Sequence, residues 1–395
     1  MFEGRVESSS VTRKAGGFPV GDFDLLRKHL KFIALVALAA LILWWFGRGL
    51  NWVEVRQSFG QADVRLLIAA IVVVCATYLL RAYRWRALLS PLTPASLYAL
   101  FVSTTVGFGA VFLFGRAGEV VRPVVLPLRD RRVRPAASFV TIMVERLCDS
   151  VAVVILFAAN LLWFRAPNGD PTQFAHVREA GVILLFVALF GVAALVWFER
   201  QSGRAIKWLD ERLARWKFVP ERIRQMIVST LEQLATALQV LAHPRELVVT
   251  ATWTALLWLA ITLANWLVIR AFGLPFGFGE AVFVLGWALV GSLVPTPGGA
   301  AGAFHAATAA GLIFLGVARD QAAAVSIVIH LVDFAPAVIF GLYYVLRGQI
   351  SISRLRELTS PEAVEHAVED EKIAPPAGAE AAASDEELQA MAVGK

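Results

Sequence analysis

Apolar residues gather along this chain into long runs separated by short polar breaks, at residues 30–47, 64–82, 97–113, 137–163, 180–198, 247–270, 281–294, 301–316 and 321–346. A helix needs about 20 residues, within a range of about 17 to 25, to cross the hydrocarbon of a bilayer. The runs 281–294 and 301–316 fall short of that, and between them lies PTPGGAAG, Pro295 to Gly302, which cannot continue a helix. They read together as a re-entrant hairpin whose turn is formed by Pro295, Pro297, Gly298, Gly299 and Gly302. Irregular backbone at membrane depth is tolerated only where protein or a wet cavity satisfies it.

The run 97–113 carries Ser103, Thr104, Thr105, Gly107 and Gly109, and the placement of basic residues decides how it is used. If it spanned, the loop bearing Arg116, Arg122, Arg129, Arg131, Arg132 and Arg134 would lie outside, against the positive-inside tendency. If it dips in and returns, 29 of the 37 Lys and Arg fall on the cytoplasmic side, including those of 81–96 and 115–136, and both termini are cytoplasmic. The predicted fold is all-α: a polytopic transmembrane bundle of six full spans plus two opposed re-entrant elements. Opposed broken elements resemble the inverted repeats of secondary transporters, although no repeat is legible here as sequence identity.

The flanks differ in kind from this membrane domain, which we place at residues 27–350. Residues 1–26 are polar, have no apolar core and read as a flexible cytoplasmic tail with no cleavage site. Residues 359–395 are rich in Ala, Pro and Glu and read as a disordered acidic tail. Within the domain, 201–242 holds two amphipathic stretches, one with Ile206, Leu209, Leu213 and Trp216 on a face and one with Ile227, Leu231, Leu234, Leu238 and Leu241. Both suit helices on the cytoplasmic surface of the membrane, or a connector packed on the bundle.

Composition agrees with the pattern and narrows the function. Hydrophobic residues make up 58% of 395, charged residues 17%, and mean hydropathy is +0.65, which places the chain in a cell membrane, with the inner (cytoplasmic) membrane as the expected location. The net charge of +6 reports orientation and does not point to nucleic acid. Cys75 and Cys148 lie inside apolar runs, with no disulfide framework and no metal-ligand spacing, and no cofactor is implied.

Charges inside such a bundle need a reason, because each costs about 2.5 to 3.5 kcal/mol at the bilayer centre on the mildest scale. Gly115 to Pro123 reads GRAGEVVRP and, if helical, stacks Arg116, Glu119 and Arg122 on one face, a ladder suited to an anionic ligand. In the run 137–163, Glu145 and Asp149 share a face at i, i+4 and require cations; Arg146 is three residues from Asp149, and Arg116 or Arg122 is available to Glu145. The same residues read equally well as a structural ion cluster. Farther along, His330 and Asp333 lie at i, i+3 in the last run, with His305 just after the glycine turn. These three read either as a proton or polar relay or as satisfied core groups.

Three motifs in order, GRAGEVVRP at 115–123, VERLCD at 144–149 and VPTPGGAAG at 294–302, resemble the lysylphosphatidylglycerol synthase transmembrane-region family of flippase-like membrane proteins over about residues 25–350. The resemblance implies handling of an anionic lipid, a phospholipid or a polyprenyl-phosphate-linked sugar, with movement between leaflets. It implicates Arg116, Gly118, Glu119, Arg122 and Pro123, then Glu145, Arg146 and Asp149, then Pro297, Gly298, Gly299 and Gly302. Where the family often has an acid after the glycine turn, this chain has His305. The soluble domain of the synthases has no counterpart in the about 37 residues of the acidic tail, so lysyl-lipid synthesis is not expected.

The expected function is therefore binding and translocation of an anionic lipid or lipid-linked substrate. The alternative is a membrane-embedded transferase or an accessory partner of an envelope-synthesis enzyme. No HExxH, Asp-rich pair or Ser/His/Asp set is present to favour catalysis.

Overall fold

The computed structural model describes residues 20–164, 171–215 and 244–347, with isolated positions between 221 and 235, and all regular structure within them is helical. The helices are α1 (Val20–Gly47), α2 (Trp52–Gln61), α3 (Val64–Leu89), α4 (Leu97–Phe114), α5 (Val121–Arg129), α6 (Pro135–Trp163), α7 (Pro171–Arg215), α8 (Pro244–Ala271), α9 (Phe278–Ser292), α10 (Ala303–Phe314) and α11 (Arg319–Leu346). A 3₁₀ turn, Gly115–Val120, joins α4 to α5, and a non-helical turn at Pro297–Ala300 lies between α9 and α10. Among the described residues, α3, α4, α8 and α11 are long and apolar enough to cross a membrane. Val36–Gly47 and Trp52–Gln61 form a further candidate span bent by 86°.

Length alone would let α4 span, but the path of the chain turns it back. The 3₁₀ turn reverses direction at Gly115, and α5 returns along α4. This close approach needs glycine: a Cβ on Gly118 would lie 2.3 Å from the main chain of Ala110, and one on Gly107 would lie 2.3 Å from Cγ of Arg122. The mouth of the hairpin is tied shut. The Ser96 amide donates to Asp130 Oδ2 at 2.9 Å, and the Thr93 hydroxyl donates to the Arg132 carbonyl at 3.0 Å. A second hairpin, α9 and α10, closes through Phe283 against Phe314 at 5.4 Å between ring centroids. Its turn has positive φ at Gly298, Gly299 and Gly302, as glycines there permit, and also at Ala300.

The two hairpins meet tip to tip, since a Cβ on Gly115 would lie 3.1 Å from the carbonyl of Thr296. They open at opposite ends of the bundle. The reason is that α3 and α8, the helices that precede them, run antiparallel: the Asp63 amide donates to the Ala271 carbonyl at 2.8 Å at one end, and Tyr83 stacks on Trp253 at 5.5 Å at the other. Each half thus comprises a long helix, a hairpin and a second long helix, and the packing is reciprocal. Helix α4 lies on α11 as α9 lies on α6, and α3 touches α11 as α8 touches α6. Aligning α6 and α11 from their first residues sets Val144-Glu145-Arg146-Leu147-Cys148-Asp149 against Val328-Ile329-His330-Leu331-Val332-Asp333. The order of elements, the reciprocal packing and the three matching residues of this stretch form an internal correspondence, confined in sequence to a motif too short to notice without the helix frame.

Several boundaries differ from expectation. Helix α1 begins at Val20, inside the stretch expected to be a flexible tail. Helix α3 continues to Leu89 instead of ending near residue 82, because Arg84 is accommodated inside the bundle. The run 180–198 and the first amphipathic stretch are one continuous helix, α7, of 45 residues. Most of the second amphipathic stretch and the tail 359–395 lie outside the described residues.

Candidate functional site

The charge-bearing centre is where α3, α4, α5 and α6 meet. Glu145 on α6 is fully buried, and Arg122 on α5 grips it with both terminal nitrogens, Nη1 to Oε1 at 2.6 Å and Nη2 to Oε2 at 2.9 Å. Arg84, equally buried on α3, bridges both carboxylates: Nη2 lies 3.0 Å from Glu145 Oε1, and Nη1 and Nη2 reach the two oxygens of Asp149 at 2.5 and 3.1 Å. The Trp258 indole adds a donor to Asp149 Oδ1 at 3.0 Å. Such bidentate, charge-assisted pairs are the strong kind, and the hairpin puts Arg122 in reach of Glu145 by turning back on α4.

The network uses other partners than the sequence suggested. Arg146 contacts Glu145 at 3.4 Å, with 41% of its side chain exposed, while Asp149 is answered by Arg84. The expected ladder is not a uniform helix face: Gly115–Val120 is a 3₁₀ turn and the α-helix starts at Val121. Arg122 turns inward to Glu145 and Glu119 lines a cavity; the side chain of Arg116 lies outside what is described. Arg84 and Arg81 were missed, being counted with the cytoplasmic loop. The available signal was their spacing: Arg81 and Arg84 sit at i, i+3 on the helix, in register with two acids four apart on another run.

Beside this network is a cavity of about 40 Å³ lined by Gly107, Phe108, Val111, Glu119, Arg122, Ile142 and Arg146. The Phe108 ring is the hub of the cations. Guanidinium carbons of Arg81, Arg122 and Arg146 lie 4.4, 5.7 and 5.9 Å from its centroid, and Arg122 also covers Trp85 at 4.3 Å. Arg81 has no carboxylate within ion-pair distance among the described residues, and its buried Nε has no hydrogen-bond partner. Four arginines, at 81, 84, 122 and 146, thus surround two fully engaged carboxylates, and even with Glu119 counted the cations are in excess.

The second half holds the other expected residues. His305 on α10 and His330 on α11 contact each other with centroids 4.6 Å apart. Both touch the glycine turn: His330 Nε2 lies 3.1 Å from the Gly299 carbonyl, and the Gly302 amide donates to His305 Nδ1 at 3.4 Å. Phe46, Phe112, Phe304 and Phe334 surround the pair. Asp333 lies one turn beyond His330, where Tyr78 hydrogen-bonds its main-chain oxygen at 2.9 Å and its carboxylate has no ion pair among the described residues. The turn residues Pro295 and Pro297 flank Thr296 at the tip junction. Among the described residues no three His, Cys, Asp or Glu side chains are placed to hold a metal ion. At the hairpin mouth, outside the spanning segments, the Arg132 guanidinium holds the Asp130 carboxyl well below the usual carboxylate range, through bonds of 2.8 Å to each oxygen.

Comparison with known proteins agrees with this architecture. The family model described as Lysylphosphatidylglycerol synthase TM region matches residues 32–341. The chain is 21% identical over 337 residues to UPF0104 membrane protein PH1989 of Pyrococcus horikoshii, covering 82% of this chain and 98% of that protein. It is 23% identical over 373 residues to Glycosyltransferase AglD of Haloferax volcanii, covering 86% of this chain but only 57% of that one.

Proposed function

We propose, for a chain that belongs to the lysylphosphatidylglycerol synthase transmembrane-region family, that it binds the phosphate of an anionic lipid or lipid-linked substrate and moves it between leaflets of the cytoplasmic membrane. The observation that carries this reading is the surplus of guanidinium around Phe108. Glu145 and Asp149 already hold Arg84 and Arg122. Arg81, with no ion pair among the described residues, and Arg146, with one long contact, are left to receive an anion from the cavity. An unmatched cation inside a membrane bundle is expensive, and a ligand phosphate would supply the missing charge. The opposed hairpins add a means of movement, because broken elements meeting mid-bundle suit a site opened alternately to either side. In this reading both termini are cytoplasmic, by the basic-residue distribution, and an envelope-synthesis enzyme is a suitable partner.

A second reading, a membrane-embedded transferase, is favoured by the glycosyltransferase name of the Haloferax relative. The match leaves out a large part of that protein, so its named activity does not come over with the matched part. One reconstitution separates the two. Purified protein in liposomes should exchange fluorescent phosphatidylglycerol or a polyprenyl-phosphate analogue across the bilayer without altering it, and Arg146→Gln should reduce the rate about tenfold, the worth of a charged hydrogen bond. No exchange of any anionic lipid would overturn the transport reading, and a chemically altered lipid would favour the transferase.

A further inference from the structure

The internal correspondence makes the two halves comparable residue by residue. Both α6 and α11 have Asp at their fifteenth position, Asp149 and Asp333, and the twelfth is Arg146 in one and His330 in the other. The hairpin tips add a second exchange. Counting seven residues on from Gly115, the positive-φ glycine of the first turn, gives Arg122, and from Gly298, the first of three in the second turn, gives His305. Twice, then, an arginine of the first half is a histidine of the second. The acid between them is gone, Glu145 being matched by Ile329, and the place of Arg84, twenty-first in α3, is taken in α8 by Ala264.

From this exchange we infer that His305 and His330 form a second anion site, equivalent to the first by the internal correspondence, that accepts the lipid phosphate only when the imidazoles carry protons. This rests on the anionic-lipid reading and deepens it by naming the co-substrate, a proton. The charge arithmetic agrees with it. Arg81, Arg84, Arg122 and Arg146 exceed Glu119, Glu145 and Asp149 by one positive charge, whereas neutral His305 and His330 leave the Asp333 carboxylate as the charge of the second half. Protonating both histidines makes the second half match the first. Geometry ties the same step to the backbone. His305 Nδ1 now accepts from the Gly302 amide, so a proton arriving there must displace that bond and free the hairpin tip. Around the pair lie uncharged Phe46 from α1, Phe112 from α4, Phe304 from α10 and Phe334 from α11, and the nearest charged group on α11 is Asp333, which Arg81 and Tyr78 face from α3.

The test is binding of short-chain phosphatidylglycerol to the purified full-length protein in phosphatidylcholine nanodiscs, at about pH 5.5 and about pH 8, on either side of the imidazole range. The expected result is a second binding event, tighter at the lower pH by about tenfold or more, that disappears in His305→Gln with His330→Gln and becomes independent of pH in His305→Arg with His330→Arg. The single variant His330→Gln, whose amide can still donate to the Gly299 carbonyl, serves where the double ones fail to fold, and it should shrink the pH effect. Wild type that binds with one stoichiometry and affinity at both pH values, or a pH effect unchanged in the glutamine variants, would overturn the inference and leave the first site standing. Wild type that binds no phosphatidylglycerol at either pH would overturn the lipid reading and this inference with it.

Discussion

In the first half of the bundle, Asp149 meets Arg84 and the Trp258 indole; in the second, Asp333 occupies the same place in its helix and makes no ion pair among the described residues. The order of helices is shared, so the difference between the two acids lies in the side chains around them. Where charges are matched and doubly hydrogen-bonded they pin helices together, and removing one member leaves its partner buried and alone. Where a charge is unmatched it contributes little to the fold, and its presence is better explained by something that visits.

Substitution of the two equivalent aspartates tests this most strongly. Asp149→Asn should cost about 3 to 5 kcal/mol, the usual penalty for leaving a buried cation uncompensated, read as a large fall in melting temperature in detergent. Asp333→Asn removes an unpaired charge and should leave stability unchanged or raise it. Equal losses would erase the distinction between the halves. A smaller effect is expected at the first hairpin. Gly118→Leu drives a side chain into the main chain of Ala110 and should cost about 1 to 3 kcal/mol. Gly203→Leu on α7, where a Cβ meets nothing within 4 Å, is the control and should be near neutral. The smallest effect belongs to the mouth of that hairpin. Asp130→Asn weakens the contacts to the Ser96 amide and to Arg132 and should cost about 0.5 to 2 kcal/mol, in the range of a lost helix cap. Because the folded carboxyl titrates below its unfolded value, its contribution is complete above about pH 4 and fades as pH falls further. A wild-type melting temperature that falls no faster under acid than that of Asp130→Asn would remove Asp130 from the clasp.

The membrane class and the glycine turn were legible because they depend on local composition: a long apolar run and a PTPGG break leave few alternatives. The engagement of Glu145 by Arg122 was legible in part, since two acids on one helical face demand cations and few were near. Arg84 was not. An arginine at the end of an apolar run reads equally as a loop charge and as a buried partner, and only the position of α6 separates the two. The correspondence between the halves escaped for a related reason. Val, Leu and Asp at matching places in VERLCD and VIHLVD carry too little identity to stand out until both helices are numbered from their starts. Asp130 escaped because its partner, the Ser96 amide, is a main-chain group on which sequence pattern is silent.

Helix α7 has a mechanical consequence. Forty-five residues at about 1.5 Å each make a rod about 68 Å long, against about 30 Å of hydrocarbon, so a large part of it must stand clear of the apolar layer. Its outer portion carries Arg200, Arg204, Lys207, Arg212 and Arg215, and near that end Asp210 pairs with Arg224 of the following connector at 3.4 Å. A rod anchored at one end works as a lever: a change in tilt of about 10°, small beside the 0 to 40° that membrane helices adopt, moves the far end of a projecting length of about 38 Å by about 6 to 7 Å. Small rotations within the membrane are thereby magnified at the basic end of α7, where a fluorophore pair would read them.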